Sequence, residues 1–175
     1  MRSPFLAVAI CAALFTITTP SAAQQATTVI LVRHAEKEST AGERDPVLSA
    51  AGKARARELA RVLAQTKIST IYSTPFHRTM NTAQPIAELL GLEVTTTPVS
   101  GTLVQDMARL LREDHAGETV LVVSHSNTVP AIMNALGAGP YEQLGEDEYD
   151  DLFVVTLSAD GSASAVQLKY GKETP

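Results

Sequence analysis

Short apolar runs alternate along this chain with longer stretches whose apolar residues return every three or four positions. The first run, Thr28 to Val32, reads as a buried strand. Ser49 is placed to cap a helix reaching about Gln65, with Ala56, Leu59, Ala60 and Leu63 on one face. Lys53, Arg57 and Arg61 form a basic row on another face, as a solvated helix surface does. Ile68 to Ser73 predicts a second strand. A helix follows, with Pro75 in its first turn, Pro85 kinking it and Gly91 ending it. Leu92 to Thr97 reads as a weaker third strand, and Leu103, Met107, Leu110 and Leu111 as a third helix ending near Gly117. Thr119 to Ser124 is the most apolar strand, and Asn127 is placed to cap a fourth helix running to about Leu136.

The tail changes period. Leu152 to Leu157 meets Ser162 to Tyr170 across Asp160-Gly161, a hairpin signal, with Val166, Leu168 and Tyr170 alternating along one face. Strands separated by helices predict a mostly parallel sheet covered on both faces, with the hairpin as an antiparallel edge. Six acidic residues between Glu142 and Asp151 read as an exposed loop.

The first residues stand apart. Arg2, an apolar run of 13 residues from Phe5 to Ile17, and small residues up to Ala23 form a secretory signal pattern with cleavage after Ala23. The run is shorter than the roughly 20 apolar residues of a membrane span. The expected organisation is therefore a signal peptide over 1–23 and one domain over 24–175, periplasmic or secreted. Such a domain has 152 residues, enough for a single core, and lacks Cys11, the one cysteine of the chain. Disulfides, thiolate catalysis and cysteine-bound zinc are excluded on that reading. Its 13 basic and 19 acidic residues, a net charge of −6, argue against a nucleic-acid surface. No membrane partner is expected once the signal is removed, and the oligomeric state is not legible.

Candidate chemistry gathers at strand ends. In open parallel sheets, ligands bind beyond the carboxyl ends of the strands. The first strand ends at Arg33-His34, the second leads to Arg78, and Thr119 to Ser124 leads to His125. Two guanidinium forks in one place suit the oxygens of a dianionic phosphoryl group. A neutral imidazole between them is placed to attack phosphorus, with His125 donating to a phosphoryl oxygen. Two such cations also disfavour a protonated His34, so it is expected to titrate below an ordinary histidine.

These residues also resemble a family. Arg33-His34-Ala35-Glu36 is similar to the Arg-His-Gly signature of the histidine phosphatase superfamily, also called phosphoglycerate mutase-like. The stretch YSTPFHRTMNTA resembles its second-arginine motif, and VVSHSNTVP its second-histidine motif. The resemblance implies a three-layer α/β/α sandwich and His34 as the nucleophile that becomes a phosphohistidine. It makes Arg33 and Arg78 phosphate-binding residues, and His125 the second catalytic histidine. Water then hydrolyses the intermediate, and no cofactor or metal is implied.

Two departures stand out. Ala35 replaces the usual glycine, which is tolerable unless φ is positive there. The segment where many members carry an acidic proton donor offers only Asp106, the tentative general acid, with Glu36 beside the pocket as its rival. The expected partner is a small phosphorylated substrate. Two alternatives are a phosphomutase, disfavoured by the short gaps between elements, and a phosphate-binding module that turns nothing over. A metal site on His34 and His125 is disfavoured because Arg33 and Arg78 would repel the cation. His77 could face the pocket mouth, whereas His115 suits a helix C-terminus.

Overall fold

The structure, a computed structural model, describes residues 26–39 and 42–174; the expected signal segment lies outside them. Ten elements follow one another: β1 (Thr27–Arg33), α1 (Ala50–Leu63), β2 (Ile68–Ser73), α2 (His77–Leu90), β3 (Val94–Thr96), α3 (Leu103–Glu113), β4 (Thr119–Ser124), α4 (Thr128–Ala135), β5 (Asp151–Leu157) and β6 (Ala163–Lys169). The six strands form one sheet in the order β3-β2-β4-β1-β5-β6. Its first four strands are parallel, whereas β5 and β6 are antiparallel additions.

Strand alternation divides the core. On β1 and β4, Val29, Leu31, Val120 and Val122 pack with Met107 and Leu111 of α3 and Ile132 and Met133 of α4. The intervening Ile30, Val32, Leu121 and Val123 pack on the other face with Leu59 of α1 and Ile86 of α2. This is the expected three-layer α/β/α sandwich, because successive side chains of a strand point to opposite faces. Among the described residues, no helix is long and apolar enough to cross a membrane.

Local chemistry explains the boundaries and some departures from expectation. Ser49 caps α1 by accepting from the Gly52 amide at 3.1 Å. Gly91 ends α2 in the left-handed conformation, φ +67. Helix α2 begins at His77, two residues after Pro75, and continues through Pro85 to Leu90. Asn127 occupies the N-cap position of α4 without a side-chain cap. The Thr128 hydroxyl instead accepts from the His125 amide at 3.0 Å.

The acidic stretch is only partly an exposed loop. Asp151 begins β5, and both Asp150 and Asp151 are buried. Both reach Lys169 at 3.0 Å, and Asp150 also accepts from the Thr174 hydroxyl at 2.6 Å. Burial of carboxylates is tolerated because each is paired. On β6 only the Tyr170 end of the apolar face is covered; Val166 and Leu168 are exposed on this edge strand.

Candidate active site

The sheet order brings the three expected strand ends together. β4 lies between β2 and β1, with Arg33 opposite Ser124 and Ser73 opposite Val123. The His34 amide donates to the Ser124 carbonyl at 2.8 Å, which ties the two histidine-bearing turns to each other. A cleft at this edge is lined by Arg33, His34, Arg78 and His125, with Lys37, Arg44, Glu43 and Glu146 among its other walls. The His34 and His125 rings are 5.5 Å apart, centre to centre, in an edge-on arrangement.

His34 is 4% exposed, and its Nδ1 lies 2.8 Å from the Ala35 carbonyl oxygen. A carbonyl can only accept, so Nδ1 carries the proton and Nε2 the lone pair. The pKa of His34 is lowered to about 3, chiefly because burial disfavours the charged ring; Arg33, His125 and Arg78 add repulsion, partly opposed by the Ala35 contact. The direction is the expected one, but burial exceeds the arginine effect on which the expectation rested. His125 falls to about 4, again through burial first, then Arg78 and Arg33.

Arg33 is divided between two tasks. Its Nη1 donates to the carbonyls of Gly145 and Glu148, at 2.6 and 2.9 Å, and its Cζ lies 4.1 Å from the centre of the Tyr149 ring. Its buried Nε has no partner among the described residues. Arg33 thus clamps residues 145–148 beside the cleft that it also lines. Arg78 stacks on Phe76 at 4.3 Å and contacts Asp45 at 3.4 Å. Asp45 also accepts from the His77 amide at 3.0 Å, so it supplies the cap that Phe76 lacks at the start of α2.

The remaining candidates separate. Ala35 is fully buried against Leu48 and Ala56, and no described non-glycine residue has positive φ, so the missing glycine costs the turn nothing. Asp106 lines a different depression, with Thr97, Ser100, Met107 and Leu110, and is not among the residues of the His34 cleft. The early-helix position that put it in the right stretch of sequence places it on the wall of that other depression. Glu36 is held by Arg55, with contacts of 2.8 to 3.0 Å; Arg55 also donates to the carbonyls of Tyr170 and Lys172. It anchors the β1–α1 turn to the tail. His77 is an exposed neighbour of Asp45, and His115 is a buried core residue between Tyr72 and Glu118.

Sequence reasoning missed Asp45, Tyr149, Lys37, Arg44 and the hydroxyls of Thr74, Thr79 and Thr82. Thr82 accepts from the Ala35 amide at 2.9 Å and donates to the Arg78 carbonyl at 2.7 Å, so it ties the nucleophile turn to α2. Its spacing of four residues from Arg78 was the available signal. Among the described residues, no group of three His, Cys, Asp or Glu side chains gathers as a metal site would require.

Residues 29–99 match the model of the histidine phosphatase superfamily (branch 1). A curated relative, phosphoserine phosphatase 1 of Hydrogenobacter thermophilus, is 46% identical over 71 residues, which are 38% of this chain and 34% of that protein. The chain thus matches about a third of that relative's length. Among solved structures, a mycobacterial glucosyl-3-phosphoglycerate phosphatase aligns with TM-score 0.62 and 17% identity, covering 85% of this chain and all of that one. The Entamoeba histolytica phosphoserine phosphatase bound to 3-phosphoglyceric acid gives 0.61 and 18%, over 84% and 98%. The protein histidine phosphatase SixA bound to tungstate gives 0.61 and 22%, over 81% and 96%. These structural likenesses speak for the fold alone. The match to the histidine phosphatase superfamily thus runs through residues 29–99, which carry Arg33, His34 and Arg78.

Proposed function

We propose that this protein is a phosphatase that hydrolyses a small phosphomonoester through a phosphohistidine on Nε2 of His34. The observation that carries the reading is the His34 ring itself. Its Nδ1–H is spent on the Ala35 carbonyl, its burial keeps it neutral, and its remaining lone pair belongs to a residue lining a cleft with two guanidinium groups. The partnerless Nε of Arg33 fits the same reading. A buried donor without an acceptor costs roughly 1–3 kcal/mol, a cost that a phosphoryl oxygen would remove.

In this mechanism Arg33 and Arg78 hold the equatorial oxygens while Nε2 attacks phosphorus in line and the bond to the leaving oxygen breaks. The cleft offers two carboxylates to that oxygen, Glu43 and Glu146. Glu146 has the firmer mount, because Arg33 holds carbonyls on either side of it. A water then attacks the phosphohistidine, releasing phosphate and restoring His34. No step uses a metal. The names of the relatives, which include phosphoserine and glucosyl-3-phosphoglycerate phosphatases, support a small substrate with anionic or hydroxyl groups beyond the phosphate. Lys37 and Arg44 are the cleft cations available to such a group. We further propose export to the periplasm or medium with cleavage after Ala23, which the mass of the mature N-terminus would test.

The test is hydrolysis of p-nitrophenyl phosphate by the wild type and by His34→Ala, with and without EDTA. EDTA-insensitive turnover that disappears in His34→Ala is expected. Folded wild-type protein that binds inorganic phosphate without turnover would point to a binding module instead.

A further inference from the structure

The hydroxyls behind His125 form a chain that the mechanism above does not use. His125 Nε2 lies 2.9 Å from Thr74 Oγ1, which lies 2.8 Å from Thr79 Oγ1. Thr79 Oγ1 in turn lies 2.9 Å from the carbonyl oxygens of both Thr74 and Phe76. Thr74 is 2% exposed and Thr79 is fully buried, so every proton in the chain must be placed on a protein acceptor.

The direction can be worked out from the closed end. A carbonyl oxygen held 2.9 Å from a hydroxyl oxygen with no proton between them is repulsive, so the arrangement that relieves both contacts turns the single Thr79 hydroxyl proton toward the carbonyls. Thr79 Oγ1 is then the acceptor for the Thr74 hydroxyl proton. Thr74 Oγ1, having given its own proton away, accepts from His125. In that arrangement the ring carries its proton on Nε2, and the lone pair of neutral His125 sits on Nδ1. No described residue is bonded to Nδ1, and His125 lines the cleft.

We propose that Thr74 is a positioning residue that acts through His125: it holds the free enzyme in the Nε2–H tautomer, so that Nδ1 must gain a proton when a phosphoryl dianion binds. In the free protein His125 is neutral: it is buried, Arg78 and Arg33 disfavour its charge, Asp45 opposes them, and the His34 ring lies edge-on at 5.5 Å. A dianion adds negative charge beside the ring. The ring takes one proton from solvent at Nδ1 and then donates from both nitrogens, to Thr74 and to the phosphoryl oxygen. The part played in turnover rests on the phosphatase reading; the tautomer and the proton uptake do not.

The experiment uses the full chain as wild type, Thr74→Val and Thr74→Ser. Long-range 1H–15N NMR of the free wild type at neutral pH is expected to show His125 as Nε2–H, a result that needs no variant to fold. Calorimetry with inorganic phosphate at pH 8, in two buffers of different ionisation enthalpy, should give uptake of about one proton per site. Thr74→Val should lose both signatures and at least about tenfold in kcat/KM on p-nitrophenyl phosphate, with Thr74→Ser restoring all three. A wild-type Nδ1–H tautomer, or uptake unchanged in a folded Thr74→Val, would overturn the proposal. Wild type with the expected tautomer and uptake but no turnover would refute the phosphatase reading and leave this inference standing.

Discussion

Replacing Arg33 by lysine keeps the charge and removes the geometry. The arginine makes two hydrogen bonds from Nη1, to Gly145 and Glu148, lies against Tyr149, and retains the partnerless Nε. A lysine ammonium is a point donor and cannot serve the loop and a ligand together. Hydrogen bonds from a charged group contribute roughly 1.5–3 kcal/mol each. Losing one of the two loop contacts should therefore lower stability by about 2 kcal/mol. On the proposed mechanism, losing one guanidinium donor to the transferring phosphoryl group should lower kcat by about 10²- to 10³-fold. Urea denaturation reads the first, and steady-state hydrolysis of p-nitrophenyl phosphate reads the second. Should the lysine replace the clamp, stability would suffer less and activity more; should it serve the ligand, the reverse. A variant within about threefold of wild type in kcat, with an unchanged urea midpoint, would refute the double role.

Other perturbations follow from the same geometry. The His34 ring should titrate with a midpoint below pH 5 by NMR in the free protein, since burial lowers it to about 3; a midpoint near 6.5 would contradict its placement. The linkage sign is that of a lowered base: the unfolded chain binds the proton first, so the fold should weaken as pH drops below about 6.5, not strengthen. Gly52→Ala would drive a Cβ into the Glu36 carbonyl oxygen, against backbone two residues from His34. The expected cost is about 1–3 kcal/mol of stability, with a loss of activity, by thermal melting and kinetics. Asp106→Asn should leave kcat/KM within about threefold, whereas Glu146→Gln should slow alkyl phosphates by about 10²-fold or more and spare p-nitrophenyl phosphate, whose leaving group needs no proton. Equal effects of Glu146→Gln on both substrates would remove it as proton donor.

What was legible in the sequence was what depends on local periodicity. The bounds of β4 follow from an unbroken apolar run and those of β2 from its β-branched and aromatic residues, while Ser49 marks the start of α1 and Gly91 the end of α2. The convergence of Arg33, His34, Arg78 and His125 followed from one topological rule, that parallel strands present ligands at their carboxyl ends. What stayed hidden depends on distant pairing. Nothing near Asp45 reveals that it caps α2, a contact spanning 32 residues, or that Arg55 reaches back to Glu36 and forward to the tail. Asp150 and Asp151 read as loop residues because their partners, Lys169 and Thr174, lie a hairpin away. Asp106 had the right residue type in the right stretch, yet its side chain faces another depression. Spacing along a helix could not decide between those faces.

The measurement nearest the centre of the account is direct detection of the phosphoenzyme. Wild type mixed with substrate and quenched in alkali, where phosphohistidine survives, should yield a single phosphorylated peptide carrying the group on His34. The 31P signal should be that of an Nε2 phosphoramidate, absent from His34→Ala. Turnover with no phosphorylated residue, or a phosphoryl group on His125 or on Nδ1 of His34, would contradict it.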